Sequence, residues 1–282
     1  MLEKINLKDN KLTWGDFQKE LPSFQRRLYE LEKACWDEKI PSIVVFEGWD
    51  AAGKGSAIRS LSARLDPRGA RHYSIQPPRK RESRPWLYPF WLRIPNQGEM
   101  AIFEHSWYWR FIELRVAKKL TKIQRLSMAR DILEFERMLA EDGTAIIKFW
   151  LHIDKKEQKR RFEEIEADPL ESWRIGGEDW KRHKSYEAYL KAAEEILQAT
   201  ETPFSPWNVV DATSKGFAQK NIFETLIHRL EDRLGSKAPL RSESAVQKRH
   251  DREIREAQEE SKDIPKPDGK RRKRVAAATV VK

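Results

Sequence analysis

Four short apolar segments interrupt a chain in which charged positions are frequent. They lie at 43–46, 100–107, 144–153 and 207–212, and each combines aliphatic with aromatic residues. Segments of this length and composition are typical of buried strands. The stretches between them carry apolar residues at helical spacing, at about 14–38, 125–141 and 219–234. Strands that alternate with helices predict an α/β fold with a parallel sheet.

The sequence SIVVFEGWDAAGKGSAIRSL, at 42–61, places a glycine-containing loop between the first strand and a helix. Gly48, Gly53 and Lys54 fit the pattern G-x-x-x-x-G-K, in which backbone N–H groups and the lysine wrap a phosphate at a helix N-terminus. Ser56 would then reach a magnesium ion. Gly55, between Lys54 and Ser56, makes the spacing similar to that of nucleotide monophosphate kinases. A turn without a ligand is the alternative, but strand, spacing, lysine and helix all favour phosphate binding.

Composition narrows the classes of protein that this chain can be. A length of 282 residues suits one catalytic domain, and a formal net charge of +10 indicates an anionic partner, either a nucleic acid or a highly phosphorylated substrate. Cys35 is the only cysteine, which excludes an intramolecular disulfide and a cysteine-based zinc cluster. No apolar run is long enough to span a bilayer, and the N-terminus is too charged for a signal peptide. We therefore expect a soluble cytoplasmic protein with no membrane partner.

The distribution of charge and of breaking residues predicts the domain organisation. We expect one domain over residues 1–235 and a basic, disordered tail over 236–282, which contains KRRKR at 270–274. In a parallel sheet, ligands bind beyond the carboxyl ends of the strands. The Gly48 loop, Glu104 and the residues after Ile153 should therefore lie on one rim of the sheet.

Several separated motifs resemble those of the polyphosphate kinase 2 family of phosphotransferases. They are FEGWDAAGKGSAIR, IFEHSWYWR, LEFERMLAEDGTAIIKFWLHI, EQKRRFEE and TPFSPWNVVDA, in this order along the chain. The resemblance implies a three-layer P-loop kinase-like fold with a helical lid, at about 155–190. It also implies Mg²⁺-dependent, reversible phosphoryl transfer between inorganic polyphosphate and a nucleoside mono- or diphosphate. Members of the family commonly form dimers or tetramers.

The resemblance also implies roles for individual residues. The residue that matches Asp50 helps to bind metal and orients the acceptor phosphate, and a carboxylate among phosphates needs such a compensating partner. A helix-capping Asp is the alternative. Lys54 and Arg110 match catalytic positions. Glu104 stands where the family usually has an Asp that binds magnesium. We therefore predict Asp50, Lys54, Glu104 and Arg110 as catalytic, with Asp50 and Glu104 as metal ligands.

Other candidates would bind the phosphates and the nucleotide. Three positions depart from the family pattern: His105 replaces an Arg, Trp109 a small residue, and His183 stands about where a lid Arg is expected. A solvated surface charge is the alternative for any one of the basic residues. The predicted set is Gly48, Ala51, Ala52, Gly53, Gly55, Ser56, His105, Arg160, Arg161, Arg174 and His183. Further cationic candidates are Arg79, Lys80, Arg81, Arg84 and Lys181.

Two other functions stay open from the sequence. The G-K-G-S spacing alone would also suit an ATP-dependent nucleotide monophosphate kinase. The departures at Glu104, His105 and His183 would also suit a catalytically weakened protein that binds polyphosphate or nucleic acid. Asp50 and Lys54 favour an enzyme, because a pure binding protein has little need for an anion in its phosphate loop. The loop is most similar to that of the AMP-accepting group of the family.

Overall fold

The computed structural model describes residues 1–2, 12–75 and 85–239. Residues 240–282, which make up nearly all of the predicted tail, lie outside the described residues. The predicted basic side chains at 79–84 lie outside them as well. The boundary at 235 and the disorder of the tail therefore stay predictions.

A five-stranded parallel sheet forms the centre of the fold. Its strands are β1 (Ser42–Gly48), β2 (Ala70–Ser74), β3 (Met100–Glu104), β4 (Ala145–His152) and β5 (Trp207–Asp211). Their order across the sheet is β2-β3-β1-β4-β5. β1 is the central strand and is buried along its whole length, so the loop that follows it starts from a rigid position. β2 was not predicted, because this edge strand reads ARHYS and is only partly buried.

Helices flank the sheet, which confirms the predicted α/β class. Among the described residues they are α1 (Trp14–Asp37), α2 (Lys54–Ser62), α3 (Tyr88–Trp91), α4 (Trp107–Val116), α5 (Lys122–Glu141), α6 (Lys155–Ala167), α7 (Gly177–Lys184), α8 (Tyr186–Ala199) and α9 (Lys215–Leu234). α1 packs along α9, and α4 packs along α8 and α5. α5 and α9 begin earlier than predicted, because Thr121 and Ser214 cap their first turns through their side chains.

A fully buried ion pair joins β4 to α5. The ammonium of Lys148 donates to Glu136 Oε2 at 2.8 Å, to the Tyr108 hydroxyl at 2.9 Å and to the Thr200 carbonyl at 3.0 Å. The other oxygen, Glu136 Oε1, accepts from Trp107 Nε1 at 3.0 Å. Both charged side chains are 0% exposed. Removing one member of such a buried pair lowers stability strongly, because the remaining charge is left without a partner and without water.

Glu32, on α1, is a second buried acid, and it predicts an effect of pH on stability. Its carboxylate accepts from the Asp66 backbone N–H, and burial raises its pKa from 4.5 to about 7. A carboxyl with a raised folded-state pKa stabilises the fold below pH 4.5, and this contribution is lost as the pH rises towards 7. Glu32→Gln should therefore raise the free energy of unfolding at pH 8 by about 2 kcal/mol.

Urea unfolding at pH 5 and pH 8 would measure this effect. Glu20→Gln, on the same helix but with a partly exposed side chain that pairs with Lys220, is the control and should leave the pH dependence unchanged. A Glu32→Gln variant with the pH dependence of the parent would contradict the prediction.

In the described part of the chain, no helix is both long enough and apolar enough to cross a membrane. The cytoplasmic location stays a prediction.

Candidate active site

The phosphate loop connects β1 to α2, and its backbone needs glycine at two positions. Gly48 has a φ of +126°, and a Cβ at this residue would lie 2.2 Å from the Leu151 carbonyl oxygen of the neighbouring strand. Gly53 has a φ of +103° and directly precedes α2. Both conformations are open to glycine and costly for other residues. The loop therefore turns tightly at the carboxyl end of β1 and delivers the N-terminus of α2 to this edge of the sheet.

Lys54 is buried at the start of α2. Its ammonium donates to the Gly48 carbonyl at 2.8 Å and to the Trp49 carbonyl at 2.9 Å. Two of its three N–H donors are thereby used within the loop. The full positive charge consequently lies across the mouth of the loop, where an anionic ligand would meet it.

Asp50 forms an ion pair with α7, which lies within the predicted lid and is called the lid helix below. Arg182, on α7, donates from Nε to Asp50 Oδ2 at 2.7 Å and also pairs with Asp179 on its own helix. Burial raises the pKa of Asp50, but the charges of Lys54 and Arg182 outweigh burial and hold the pKa below its usual value. The carboxylate is therefore ionised at neutral pH and connects the phosphate loop to the lid.

A cavity of about 450 Å³ opens above the loop, between the end of β3, α6 and the first turns of α9. Most of the predicted residues line it: Asp50, Ala51, Ala52, Gly53, Lys54, Gly55, Ser56, Glu104, His105, Arg160, Arg161 and Arg174. Lys215 and Gln219, on α9, line it as well and were not predicted. The prediction that the loop, Glu104 and the residues after Ile153 share one rim of the sheet agrees with this arrangement.

Four predicted residues of the described chain do not line this cavity: Gly48, Arg110, His183 and the further cationic candidate Lys181, which is exposed and pairs with Glu178 on its own helix. Gly48 lies beneath the loop, and Arg110 lies on α4. His183 is buried, and its Nδ1–H donates to Gln158 Oε1 at 2.8 Å. Burial and nearby lysines lower the pKa of His183, so this residue supplies no charge at neutral pH. The structure places Arg182, one residue earlier, at the phosphate loop, and this corrects the expectation that His183 stands in for the lid arginine.

The basic side chains of α6 are largely occupied by protein groups. Arg161 donates to the carbonyls of Ala51 at 3.0 Å and Ala212 at 2.6 Å, and it pairs with Glu157. It thus braces the phosphate loop against the segment that follows β5. Arg160 pairs with Glu157 and with another acid on the same helix, and it is half exposed. Arg161 therefore shapes the loop, whereas Arg160 can turn towards a ligand at little cost.

Gln158, on α6, connects the same loop to the lid helix α7. Its Nε2 donates to the Asp50 carbonyl at 3.2 Å, while its Oε1 accepts from His183 on α7. Gln158 is 1% exposed and was not predicted. One buried amide on α6 therefore bonds both to the phosphate loop and to the lid helix.

Trp49 fixes the other side of the loop. Its indole Nε1 donates to His152 Nδ1 at 3.1 Å, and its ring stacks on Tyr186 with the centroids 3.9 Å apart. Burial lowers the pKa of His152 to about 4, so the imidazole is neutral and Nδ1 can accept this bond at neutral pH. The loop is thus held by β4 and α8 as well as by α6.

Glu47 supports His105 from inside the sheet. The Glu47 carboxylate is fully buried and accepts from both the backbone N–H and the hydroxyl of Ser106 at 2.7 Å. His105 adopts a left-handed backbone, with a φ of +59°, and its Nδ1 lies 3.5 Å from Glu47 Oε2. Glu47 was not predicted, although an acid inside an apolar strand is a sequence signal for a buried polar role.

The side-chain oxygens around the loop are of the kind that Mg²⁺ prefers. Glu104 Oε1 would lie 3.6 Å from a Cβ on Gly55, so the carboxylate borders the first turn of α2, beside Ser56. Among residues 1–2, 12–75 and 85–239, no group of three or more His, Cys, Asp or Glu side chains converges on one point. Mg²⁺ needs only one or two carboxylates when phosphates and waters complete its octahedron, so Asp50, Ser56 and Glu104 fit this ion.

Comparison with known proteins shows the family to which the chain belongs. The family model for polyphosphate kinase 2 (PPK2) matches residues 11–238. The chain belongs to this family. A PPK2 crystal structure from Arthrobacter aurescens TC1 has a TM-score of 0.79 and 25% identity, with 82% of this chain and 85% of that chain covered. A putative polyphosphate kinase 2 from Pseudomonas aeruginosa PA01 has a TM-score of 0.77 and 33% identity, with 82% and 50% covered.

Curated PPK2 relatives carry more specific names. A polyphosphate:AMP phosphotransferase from Pseudomonas syringae pv. tomato is 36% identical over 224 residues, which are 78% of this chain and 44% of the relative. An ADP-polyphosphate phosphotransferase 2 from Rhizobium meliloti is 34% identical, with 76% of this chain and 71% of the relative covered. A GDP-polyphosphate phosphotransferase from Mycolicibacterium smegmatis is 31% identical, with 79% of each chain covered. The chain thus spans less than half the length of the first of these relatives.

Proposed function

We propose that this protein transfers a phosphoryl group between inorganic polyphosphate and a nucleotide, with AMP or ADP as the acceptor. The observation that carries the proposal is the Asp50–Arg182 ion pair beside Lys54, at the mouth of a cavity lined by cationic side chains. Polyphosphate is a long polyanion, and each bound phosphate needs a cation or an N–H group. The names of the PPK2 relatives support the same pair of substrates.

The residues of the site would act mainly by position and charge, as is usual in phosphoryl transfer. The loop N–H groups and Lys54 would hold the transferring phosphate while its bond to the polyphosphate chain breaks and a bond to the acceptor phosphate oxygen forms. Asp50, with Arg182, would orient the acceptor. Mg²⁺, when held by Asp50, Ser56 and Glu104, would neutralise the charge on the phosphate oxygens.

The decisive experiment omits every nucleoside triphosphate. Each of the four common nucleoside mono- and diphosphates is incubated with polyphosphate, with Mg²⁺ or with a chelator, and the products are separated by chromatography. We expect Mg²⁺-dependent formation of the next higher phosphate, with AMP among the acceptors. Transfer that requires added ATP would favour the nucleotide monophosphate kinase, and tight polyphosphate binding without product would favour the binding protein. Light scattering would test the predicted dimer or tetramer.

Glu104 gives a more specific prediction about the metal. Glu104→Gln removes a carboxylate that borders α2, so the concentration of Mg²⁺ needed for half-maximal rate should rise about tenfold. Glu104→Asp keeps the charge and should leave this concentration within about threefold of the parent. A Mg²⁺ titration of initial rates measures both values. If Glu104→Gln responds to Mg²⁺ as the parent does, Glu104 is not a metal ligand.

A further inference from the structure

Trp109, on α4, contacts two other rings. The centroid of the His105 ring lies 4.5 Å from that of the indole, and the centroid of the Tyr189 ring lies 6.1 Å away at an interplanar angle of 23°. Each of these two rings has a carboxylate partner. His105 Nδ1 lies 3.5 Å from Glu47 Oε2, and the Tyr189 hydroxyl donates to Glu113 Oε1 at 2.9 Å. The indole is therefore held in place by neighbours that are themselves anchored.

Arg182 lies over this indole. Its guanidinium carbon is 5.8 Å from the centre of the Trp109 ring, a distance at which the electron-rich face attracts a cation. The edge of the same guanidinium bonds to Asp50 at 2.7 Å and to Asp179. Arginine is a long side chain with many rotamers, and here both its face and its edge have partners. The indole and the two carboxylates together select one orientation.

The indole does not face the space where a substrate would lie. Trp109 is absent from the lining of the 450 Å³ cavity. It borders instead a void of about 10 Å³, shared with Trp49, Arg182 and Tyr189. Such a void has room for no more than about one water molecule. The polar partner of the indole at this place is therefore Arg182 rather than a ligand.

We propose that Trp109 is a positioning residue, whose indole directs the guanidinium of Arg182 onto Asp50 and so sets the geometry in which the lid meets the phosphate loop. This inference rests on the proposed function, because Asp50 orients the acceptor there. Without the indole, Arg182 would still pair with Asp179 on its own helix, but it would lose the aromatic face that orients its guanidinium towards Asp50. Small displacements of an orienting group lower the rate more than they weaken binding.

The test is a double-mutant cycle on kcat. Trp109→Leu keeps an apolar side chain of substantial volume but removes the aromatic face. We expect it to lower kcat about tenfold, with KM for the nucleotide changed less than threefold. Trp109→Phe keeps a face and should recover kcat to within threefold of the parent. In an Arg182→Gln background, Trp109→Leu should lower kcat by less than twofold, since no guanidinium is left to position.

Two further measurements separate positioning from general packing. Trp36→Leu, on α1, removes an exposed indole outside the site and should leave kcat unchanged. Hydrogen exchange of the α7 amides should be faster in Trp109→Leu than in the parent. This readout needs no turnover, so it tests the positioning even if the parent transfers no phosphate. An equal loss of kcat with and without Arg182, or unchanged exchange in α7, would overturn the proposal.

Discussion

Replacing Lys54 with methionine is expected to lower phosphoryl transfer by about 10²- to 10³-fold, the range found when one preorganised donor to a reacting oxygen is removed. Lys54 is 6% exposed, and its ammonium bonds to two carbonyls of the phosphate loop. Methionine has a similar length and fills the same space without a charge. The substitution therefore removes the cation from the loop while leaving most of the packing intact.

Initial rates with polyphosphate and a nucleotide measure this effect, and a melting curve checks that the variant is folded. Lys159→Met provides the matched control, because Lys159 is an exposed lysine on α6 and should not contribute to transfer. A loss of less than about tenfold, worth ~1.4 kcal/mol of barrier, would remove Lys54 from the mechanism. Lys54→Met also detects a contaminating kinase, because the activity of a contaminant would be the same in the variant and in the parent.

The largest loss of stability is expected from Lys148→Met. The substitution leaves the Glu136 carboxylate buried without its cation, and breaking a buried pair from one side costs about 3–5 kcal/mol. Glu136 still accepts from Trp107 and Tyr108, but these neutral donors do not balance a full charge. The free energy of unfolding, measured in urea, should fall by that amount.

A second substitution distinguishes charge from packing. Adding Glu136→Gln to Lys148→Met removes the stranded charge and should restore about half of the lost stability, since replacing both members of a buried pair is tolerated better than removing one. In the exposed pair of Lys159 and Glu163, the same Lys→Met change should cost less than about 1 kcal/mol. A double variant no more stable than Lys148→Met alone would show that the cost comes from shape rather than from charge.

Much of this site could be predicted from local sequence patterns. The spacing of Gly48, Gly53 and Lys54 identifies a phosphate loop, because only this order puts a tight turn and a cation at a helix N-terminus. Glu104 could be placed because it ends a strand, and the ends of parallel strands meet at one edge of a sheet. These predictions needed no knowledge of distant contacts. The structure accordingly shows most of the predicted residues around one cavity.

Residues whose roles depend on distant contacts could not be found in this way. Arg182 stands among several cations in KRHK, and nothing local shows that this one reaches Asp50, 132 residues earlier. Lys148 lies within an apolar strand and finds its partner on α5 only when the sheet is assembled. β2 lacked a signal because an edge strand need not be apolar on both faces. His183 and Arg182 are adjacent on α7, but one step along a helix turns a side chain by about 100°, so only Arg182 reaches the phosphate loop.

Gln158 has a thermodynamic consequence for the two substrates of the proposed reaction. This amide bonds to the backbone of Asp50 in the phosphate loop and to His183 in the lid helix. Under the proposed function, a shift of the loop on binding a phosphate chain would therefore change the energy of the lid helix. Such coupling is reciprocal: if polyphosphate tightens nucleotide binding by some factor, the nucleotide must tighten polyphosphate binding by the same factor. The affinity of either substrate is then a property of the pair.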